Sequence, residues 1–473
     1  MSLEARTLLE RGVDLAVVGA GWAGLAAAIT ACHAGLRVAL LEAAPQAGGR
    51  ARRQVLDLGF GPIEVDNGQH LLIGAYRDTL ELMGKIGVDP DEVLERRRLS
   101  LDDSAGLSLR AAHLPAPLHL AMAILNAKGL SLVERIAMVR LMTTLRLRQW
   151  RVPGGTTVEQ LLARCAQPER LCRRLWEPLC LSALNTRAAE ACASTFATVL
   201  RDSLGAHREA SDFLLPRRTL GHCLPEPALD WLRARGAVLM LRSPVRSIER
   251  APGAEGEWTA KGPGFQITSR RVALACGAAV TQRLLSQLAE AGSPEALAAA
   301  NQLAQLRASA IATTWLAWPS NAAPRVADPL MLAASPGEER LADWLFDRGE
   351  QQGHRIGALV TSGAAEVETL QDRPDALSFA RGVCARHGLP IPSHARRVID
   401  RRATFVCEPA RPVPSQPPAG TLPGLWLAGD YTEACYPATI ETAVRSGVRA
   451  GRRATESLRE TQGLAQAQAS EIA

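Results

Sequence analysis

The sequence predicts an α/β protein in which a Rossmann-type nucleotide-binding domain is interleaved with a mixed α+β domain. Three observations lead there: a strand running into Gly19-x-Gly21-x-x-Gly24, a second strand ending at Glu42, and a late apolar strand ending at Gly429-Asp430. In residues 14–24, Asp-Leu-Ala-Val-Val-Gly-Ala-Gly-Trp-Ala-Gly, the first glycine allows a tight turn. The second lets the backbone approach a pyrophosphate, and the third lets helix and strand pack closely. Trp22 and Ala23 open the helix, so that phosphates sit on its N-terminus. The next strand, Arg37-Val-Ala-Leu-Leu, ends at Glu42, where a carboxylate can accept hydrogen bonds from a ribose diol.

After Glu42 comes a second glycine pair with a cation, Gly48-Gly49-Arg50, which an ordinary nicotinamide site does not need. Near the other end, Gly424-Leu-Trp-Leu-Ala-Gly429-Asp430 is followed by Pro437-Ala438-Thr439-Ile440-Glu441. A long FAD needs contacts at both its ends. The combination resembles the amine-oxidase-like flavoprotein superfamily, in which an N-terminal ADP site and a C-terminal Gly-Asp motif hold one extended FAD. The resemblance implies that Asp430 meets the ribityl or pyrophosphate region and that the Pro437, Ala438, Thr439 and Ile440 backbone faces the flavin pyrimidine edge. Gly68 and Val245 complete the set expected against the cofactor, which is taken as non-covalent FAD.

Composition agrees with a two-domain globular enzyme. The 473 residues exceed one ordinary core, and 47% of them are hydrophobic. A net charge of +6 is mild, lysine occurs only at Lys85, Lys128 and Lys261, and the scattered arginines read as a solvated surface rather than a nucleic-acid site. The ten cysteines include no C-x-x-C pair and no metal-like cluster, so they read as reduced thiols and no metal site is expected. The first residues lack a basic-then-apolar leader, and no run of about twenty apolar residues is present. These features place the protein in the cytoplasm, with peripheral contact on the inner face of the cell membrane as an added expectation.

Along the chain, residues 13–75, 225–299 and 396–458 are assigned to the FAD-binding domain, and 76–224 and 300–395 to the substrate domain. Val238-Leu-Met-Leu, Val245-Arg-Ser-Ile and Val272-Ala-Leu-Ala read as strands; Pro409 to Pro423, with six prolines, reads as a surface loop. Residues 459–473 read as a flexible polar tail. In the first insert, Ser131-x-x-Glu134 looks like a capping box opening a helix to about Arg151. Its apolar residues do not form one clean stripe. Two roles stay open for it: a two-sided core element, or a helix that lines a lipid tunnel and dips into a bilayer interface.

Three further pieces, Asp66-Asn67-Gly68-Gln69-His70, Leu184-Asn185-Thr186 and Gly429-Asp430-Tyr-Thr-Glu-Ala-Cys435-Tyr436, resemble the squalene-associated flavoproteins, the hydroxysqualene dehydroxylases of hopanoid synthesis. That resemblance implies a reductive step in which hydroxysqualene and reduced FAD give squalene, water and oxidised FAD. The hydroxyl is allylic, so its loss leaves a delocalised cation; the protein must supply an acid and exclude water. Gln69 and His70 are the nearest polar candidates, His70 as the acid or as the group that orients a water, with a histidine merely satisfied by a backbone carbonyl as the alternative. Asp66 is expected to fix the loop. Many amine oxidases of this superfamily carry a lysine near the flavin on a strand of the substrate domain. The stretch Gln305 to Trp318 has none, and aromatic residues make up only 4%, too few for an amine cage. A carotenoid-type desaturase is the main rival, ahead of an amine oxidase or a non-catalytic prenyl-binding escort. The electron donor is not named by any second nucleotide motif.

Overall fold

The computed structural model describes residues 12–251, 257–324, 329–333, 342–371, 375–411, 413 and 422–472. The first of its two seven-stranded sheets is built on the fingerprint strand Val13–Val18, which pairs in parallel with Val38–Leu41 on one side and with Phe265–Leu274 on the other. Val238–Met240 extends the parallel set past Val38–Leu41. Phe265–Leu274 is shared: its first half pairs antiparallel with Trp258–Gly262, and Val272–Leu274 pairs in parallel with Leu425–Leu427. Ser247–Arg250 closes that edge. The strand suggested at Val245 thus begins two residues later. Central parallel strands are covered on both faces, and Leu15, Ala16, Val17 and Leu40 are accordingly buried.

Helix Trp22–His33 covers this sheet and is almost wholly buried because a second helix lies on it. That helix, Ile440–Ile472, crosses with backbone nearly touching backbone: a Cβ on Gly447 would lie 2.0 Å from the Ala23 carbonyl oxygen, and one on Gly451 2.7 Å from that of Ala27. The alanine-rich face of the first helix is what lets the second approach so closely. Residues 459–472 are the continuation of this last helix, which corrects the expectation of a flexible tail. Arginine, glutamate, glutamine and alanine there are good helix formers, so a polar composition did not imply an irregular chain.

The second sheet runs His394–Phe405, Ala308–Pro319, His354–Ser362, Trp344–Gln351, Leu330–Met331, Ser100–Asp103 and Ser108–Arg110. Trp315 and Trp318 on Ala308–Pro319 are fully buried, one in the core on each side of the sheet. His394–Phe405 corrects the expected boundary at 396: this strand pairs within the second sheet, not the first. Four arginines and an aspartate within twelve residues hide the alternation a strand would show; register with Ala308–Pro319 holds it in place. A helical layer, residues 118–203, packs beside this sheet. Within it the Ser131 box forms as expected, with Ser131 Oγ accepting from the Glu134 N–H at 3.3 Å and Glu134 Oε2 from the Ser131 N–H at 2.8 Å. The helix stops at Leu147, short of Arg151, because Gln149 and Trp150 take left-handed backbone angles (φ 51° and 62°). Most of the proline-rich stretch 409–423 lies outside the described residues.

Candidate active site

The fingerprint loop is constrained by backbone contacts that exclude side chains. Gly19 has φ +106°, and a Cβ there would lie 2.6 Å from the Ala275 carbonyl oxygen; one on Gly24 would lie 1.8 Å from that of Gly19. Gly21 is different: its Cβ position meets only the Gly49 Cα at 3.8 Å. The protein itself does not require that glycine, which leaves the approach of a bound group over the helix N-terminus as its reason. The second glycine pair closes against it, for Gly48 donates to the Ala20 carbonyl at 2.8 Å and a Cβ on Gly49 would come within 3.0 Å of the Gly21 Cα. Trp22 is buried and its indole N–H donates to the Ala51 carbonyl at 2.9 Å, tying the helix start to the Gly48-Gly49-Arg50 loop. Ala23 turns its carbonyl to Gly447.

Glu42 sits at the end of its strand beside the same loop. One carboxylate oxygen accepts from the Ala20 N–H at 2.6 Å and the other from Ala44 at 2.8 Å, which fixes the group while leaving acceptor capacity toward a ribose. Ser243 donates to the Glu42 carbonyl, and Val245, buried two residues on, lies along the same edge.

Arg50 bridges the two ends of the chain. Its guanidinium pairs with Asp430 at 2.7 Å and donates to the Ala403 carbonyl at 2.7 Å, so the cation of the second glycine loop meets the late carboxylate. Asp430 is 3% exposed, and this pair holds the arginine protonated. Gly429 donates to Ser446 Oγ at 2.8 Å, and Thr439 caps the last helix by accepting from the Thr442 N–H at 3.1 Å. Glu441 then accepts from the Asp78 and Thr79 N–H groups, both at 3.0 Å. The start of the final helix is thereby clamped to helix Arg77–Lys85, with Pro437, Ala438, Thr439 and Ile440 between that clamp and Asp430. Tyr436 turns outward, donating to Asp202 at 3.0 Å under the Arg445 guanidinium.

Between these parts runs the Asp66–His70 loop. Gln69 N–H donates to Thr313 Oγ1 at 3.1 Å, and Thr313 lies on strand Ala308–Pro319, so the loop joins the nucleotide half to the substrate sheet. A Cβ on Gly68 would be 3.6 Å from that hydroxyl and 3.9 Å from His70 Nε2. His70 Nε2 and Gln69 Oε1 are buried without a hydrogen-bond partner. Burial pulls the His70 pKa down to about 4, against the pull of Asp400 and of a hydrogen bond to the Arg50 backbone. The ring is therefore neutral near pH 7. With that backbone bond on Nδ1, Nε2 is the acceptor.

Asp66 behaves in the opposite sense. It is 3% exposed, accepts from the Leu220 N–H at 2.8 Å, and burial pushes its carboxyl up to about 7 against the pull of that N–H and of Arg348. Sequence reasoning read it only as a loop anchor; the loss of solvent that keeps it protonated is set by packing against Thr219–Leu224, which no local motif announces. Asn185 reaches strand Ala308–Pro319 three residues from Thr313, donating to the Ala310 carbonyl at 3.2 Å. Asn185 accepts from Gly363 N–H at 2.7 Å and donates to Thr404 Oγ1 at 2.9 Å, and Thr186 accepts from Cys407 N–H, knotting the helical layer to the substrate sheet.

An open Gly21 cradle, a helix N-terminus, the fixed Glu42 carboxylate beside it and two unpartnered buried atoms make a donor and acceptor set that fits an extended dinucleotide. A family model described as "Flavin containing amine oxidoreductase" matches residues 22–455. The chain belongs to the flavin-containing amine oxidoreductase family. Within it the chain stands with the hydroxysqualene dehydroxylases: it is 30% identical to the hydroxysqualene dehydroxylase of Rhodopseudomonas palustris over 92% of this chain and 96% of that one. It is also 27% identical to that of Zymomonas mobilis, over 91% and 96%. A probable zeta-carotene desaturase of Synechococcus elongatus is 27% identical, over 50% of this chain and 51% of its own length. The crystal structure of an oxidoreductase from Methanosarcina mazei superposes with a TM-score of 0.68 at 16% identity, covering 92% of this chain and 99% of that one, which shows the shared fold. This amine oxidoreductase family member is an enzyme, a flavin-dependent oxidoreductase.

Proposed function

We propose that the protein removes the hydroxyl of hydroxysqualene reductively to give squalene, with FAD held non-covalently. The observation that supports this reading is the likeness to hydroxysqualene dehydroxylases at 27–30% identity over 91–92% of the chain, against 24% to a phytoene desaturase over 93% of it and 27% to the zeta-carotene desaturase over half of it. Reduced FAD, when bound, would supply the hydride, and with one proton the hydroxyl would leave as water, giving squalene, water and oxidised FAD.

Gly19, Gly21, Gly24 and the helix start at Trp22 and Ala23 take the pyrophosphate, Glu42 the ribose, and Val245 the adenine edge. Gly48, Gly49, Gly68 and the Arg50–Asp430 pair wall the middle of the cofactor, and the Pro437–Ile440 backbone its pyrimidine edge. His70 is neutral, so its role is to orient: Nε2 accepts a hydrogen bond from the substrate hydroxyl, with Gln69 Oε1 beside it. The group in this loop that still holds a proton near neutrality is the Asp66 carboxyl.

The test is anaerobic. Protein with its flavin reduced is mixed with hydroxysqualene, and return of the oxidised-flavin spectrum is followed; the expected result is reoxidation dependent on substrate. His70→Ala, loaded with flavin, should slow it about tenfold to a hundredfold, the scale of a lost orienting contact. A spectrum that stays reduced with hydroxysqualene, or full-rate reoxidation in the variant, contradicts the reading or the role.

A further inference from the structure

Eleven large hydrophobic side chains are exposed among the described residues, and seven of them fall within residues 118–147. On helix Leu132–Leu147 the buried face is Ala137, Met138, Leu141 and Leu145, while Leu132, Val133, Ile136, Val139 and Leu147 face solvent at 49–80% exposure. Leu118 and Leu125 are exposed on the preceding helix Leu118–Leu125. Arg135 fastens the two helices by donating to the Leu125 and Ala127 carbonyls. A scatter of single exposed aliphatics needs no explanation, but a helix apolar on both faces at the edge of a globular domain does.

Charge identifies what covers it. Between Asp103 and Glu159 the sequence holds seven basic residues, Lys128 and six arginines, and one acidic residue, Glu134. Glu134 is buried and paired with Arg170 at 2.6 Å, so no carboxylate of this stretch is presented outward. Lys128, Arg146, Arg148 and Arg151 are exposed and form no ion pair among the described residues. Where the Leu132–Leu147 helix ends, a cavity of about 200 Å³ is lined by Arg148, Arg151 and Arg164 with Thr144, over Leu145 and Val152. Guanidinium groups around a small apolar-floored hollow suit a phosphate carried on an aliphatic chain.

We propose that helices Leu118–Leu125 and Leu132–Leu147 dock the protein on an anionic phospholipid bilayer, the aliphatic side chains entering the acyl boundary and the arginines meeting lipid phosphates, with one phosphate seated in the Arg148–Arg151–Arg164 hollow. A second copy of the chain is a poor occupant, because a two-fold contact would set this positive surface against itself. An aliphatic face rimmed by cations matches an anionic interface on both counts. The inference rests on exposure and charge alone; the proposed isoprenoid substrate supplies only its purpose, delivery from the lipid phase.

The experiment is sedimentation of the flavin-loaded full chain with vesicles of phosphatidylglycerol and phosphatidylcholine, and with phosphatidylcholine alone. Binding to the mixed vesicles is expected, weaker on phosphatidylcholine alone and weakened by salt. A Val133→Ser, Ile136→Ser, Leu147→Ser variant should lose about tenfold or more in partitioning, while Arg148→Gln with Arg151→Gln should lose the preference for the anionic lipid. Both variants should turn over detergent-dispersed substrate as the parent does, which keeps this outcome separate from failure of the proposed reaction. No sedimentation of the parent with mixed vesicles, unchanged partitioning of the triple variant, or a parent dimer that the triple variant abolishes would each overturn the proposal.

Discussion

At the residue scale the three fingerprint glycines have different reasons to be glycine, and substitution separates them. Gly24→Ala drives a Cβ into the Gly19 carbonyl and should misfold the loop, whereas the Gly21 Cβ position is open. Gly21→Ala should therefore give a protein with near-parental Tm that purifies without yellow colour; a Gly21→Ala protein that kept its full flavin would remove the cofactor reading of this loop. Asp66 gives a pH test. In an unfolded chain its carboxyl titrates near ~4, and in the folded protein near about 7. Between those values the folded state keeps the proton and the unfolded state has lost it. The associated stability is whole below pH ~4 and is lost as pH rises through about 7. Asp66→Asn retains an acceptor for Leu220 and should flatten the fall of Tm over that window; an unchanged slope would show that burial does not hold this proton.

Among the elements, the contact of helix Ile440–Ile472 with helix Trp22–His33 positions the Asp430 to Ile440 segment. An alanine in place of a helical glycine ordinarily adds about 1 kcal/mol of stability. At Gly447 the added methyl would meet the Ala23 carbonyl at 2.0 Å and Ala26 Cβ at 2.8 Å, so the expected sign reverses. Overpacking costs about 1–3 kcal/mol. Gly447→Ala should lower Tm and loosen the flavin together, as read by thermal unfolding with and without added FAD; a raised Tm would mean the helices are farther apart than described. The same elements show what a sequence can disclose. The fingerprint was legible because each of its glycines answers a backbone requirement that acts within a few residues. His394–Phe405 was not, because its arginine-rich pattern carries no alternation and its place comes from pairing with a strand some ninety residues earlier. The last helix was mistaken for a tail because polar helix formers and irregular polar chain look alike in composition.

Across the whole molecule the site is a junction. Arg50 and Asp430 meet from opposite ends of the chain, Gln69 reaches Thr313 on the substrate sheet, and Glu441 clamps the last helix to Arg77–Lys85. Spacing pointed to the parts of this junction but not to their partners, since a contact across hundreds of residues leaves no local pattern. The pairing of Arg50 with Asp430 and the raised Asp66 carboxyl both emerged only from packing. A flavin-dependent enzyme built this way on an isoprenoid can run in either direction of electron flow, and the direction is the centre of the account. The most direct measurement is product analysis: purified protein, chemically reduced FAD and hydroxysqualene incubated without oxygen, extracted and examined by gas chromatography with mass detection. Squalene is expected to form only when both protein and reduced flavin are present. Hydroxysqualene recovered intact from a fully flavin-loaded protein would contradict it.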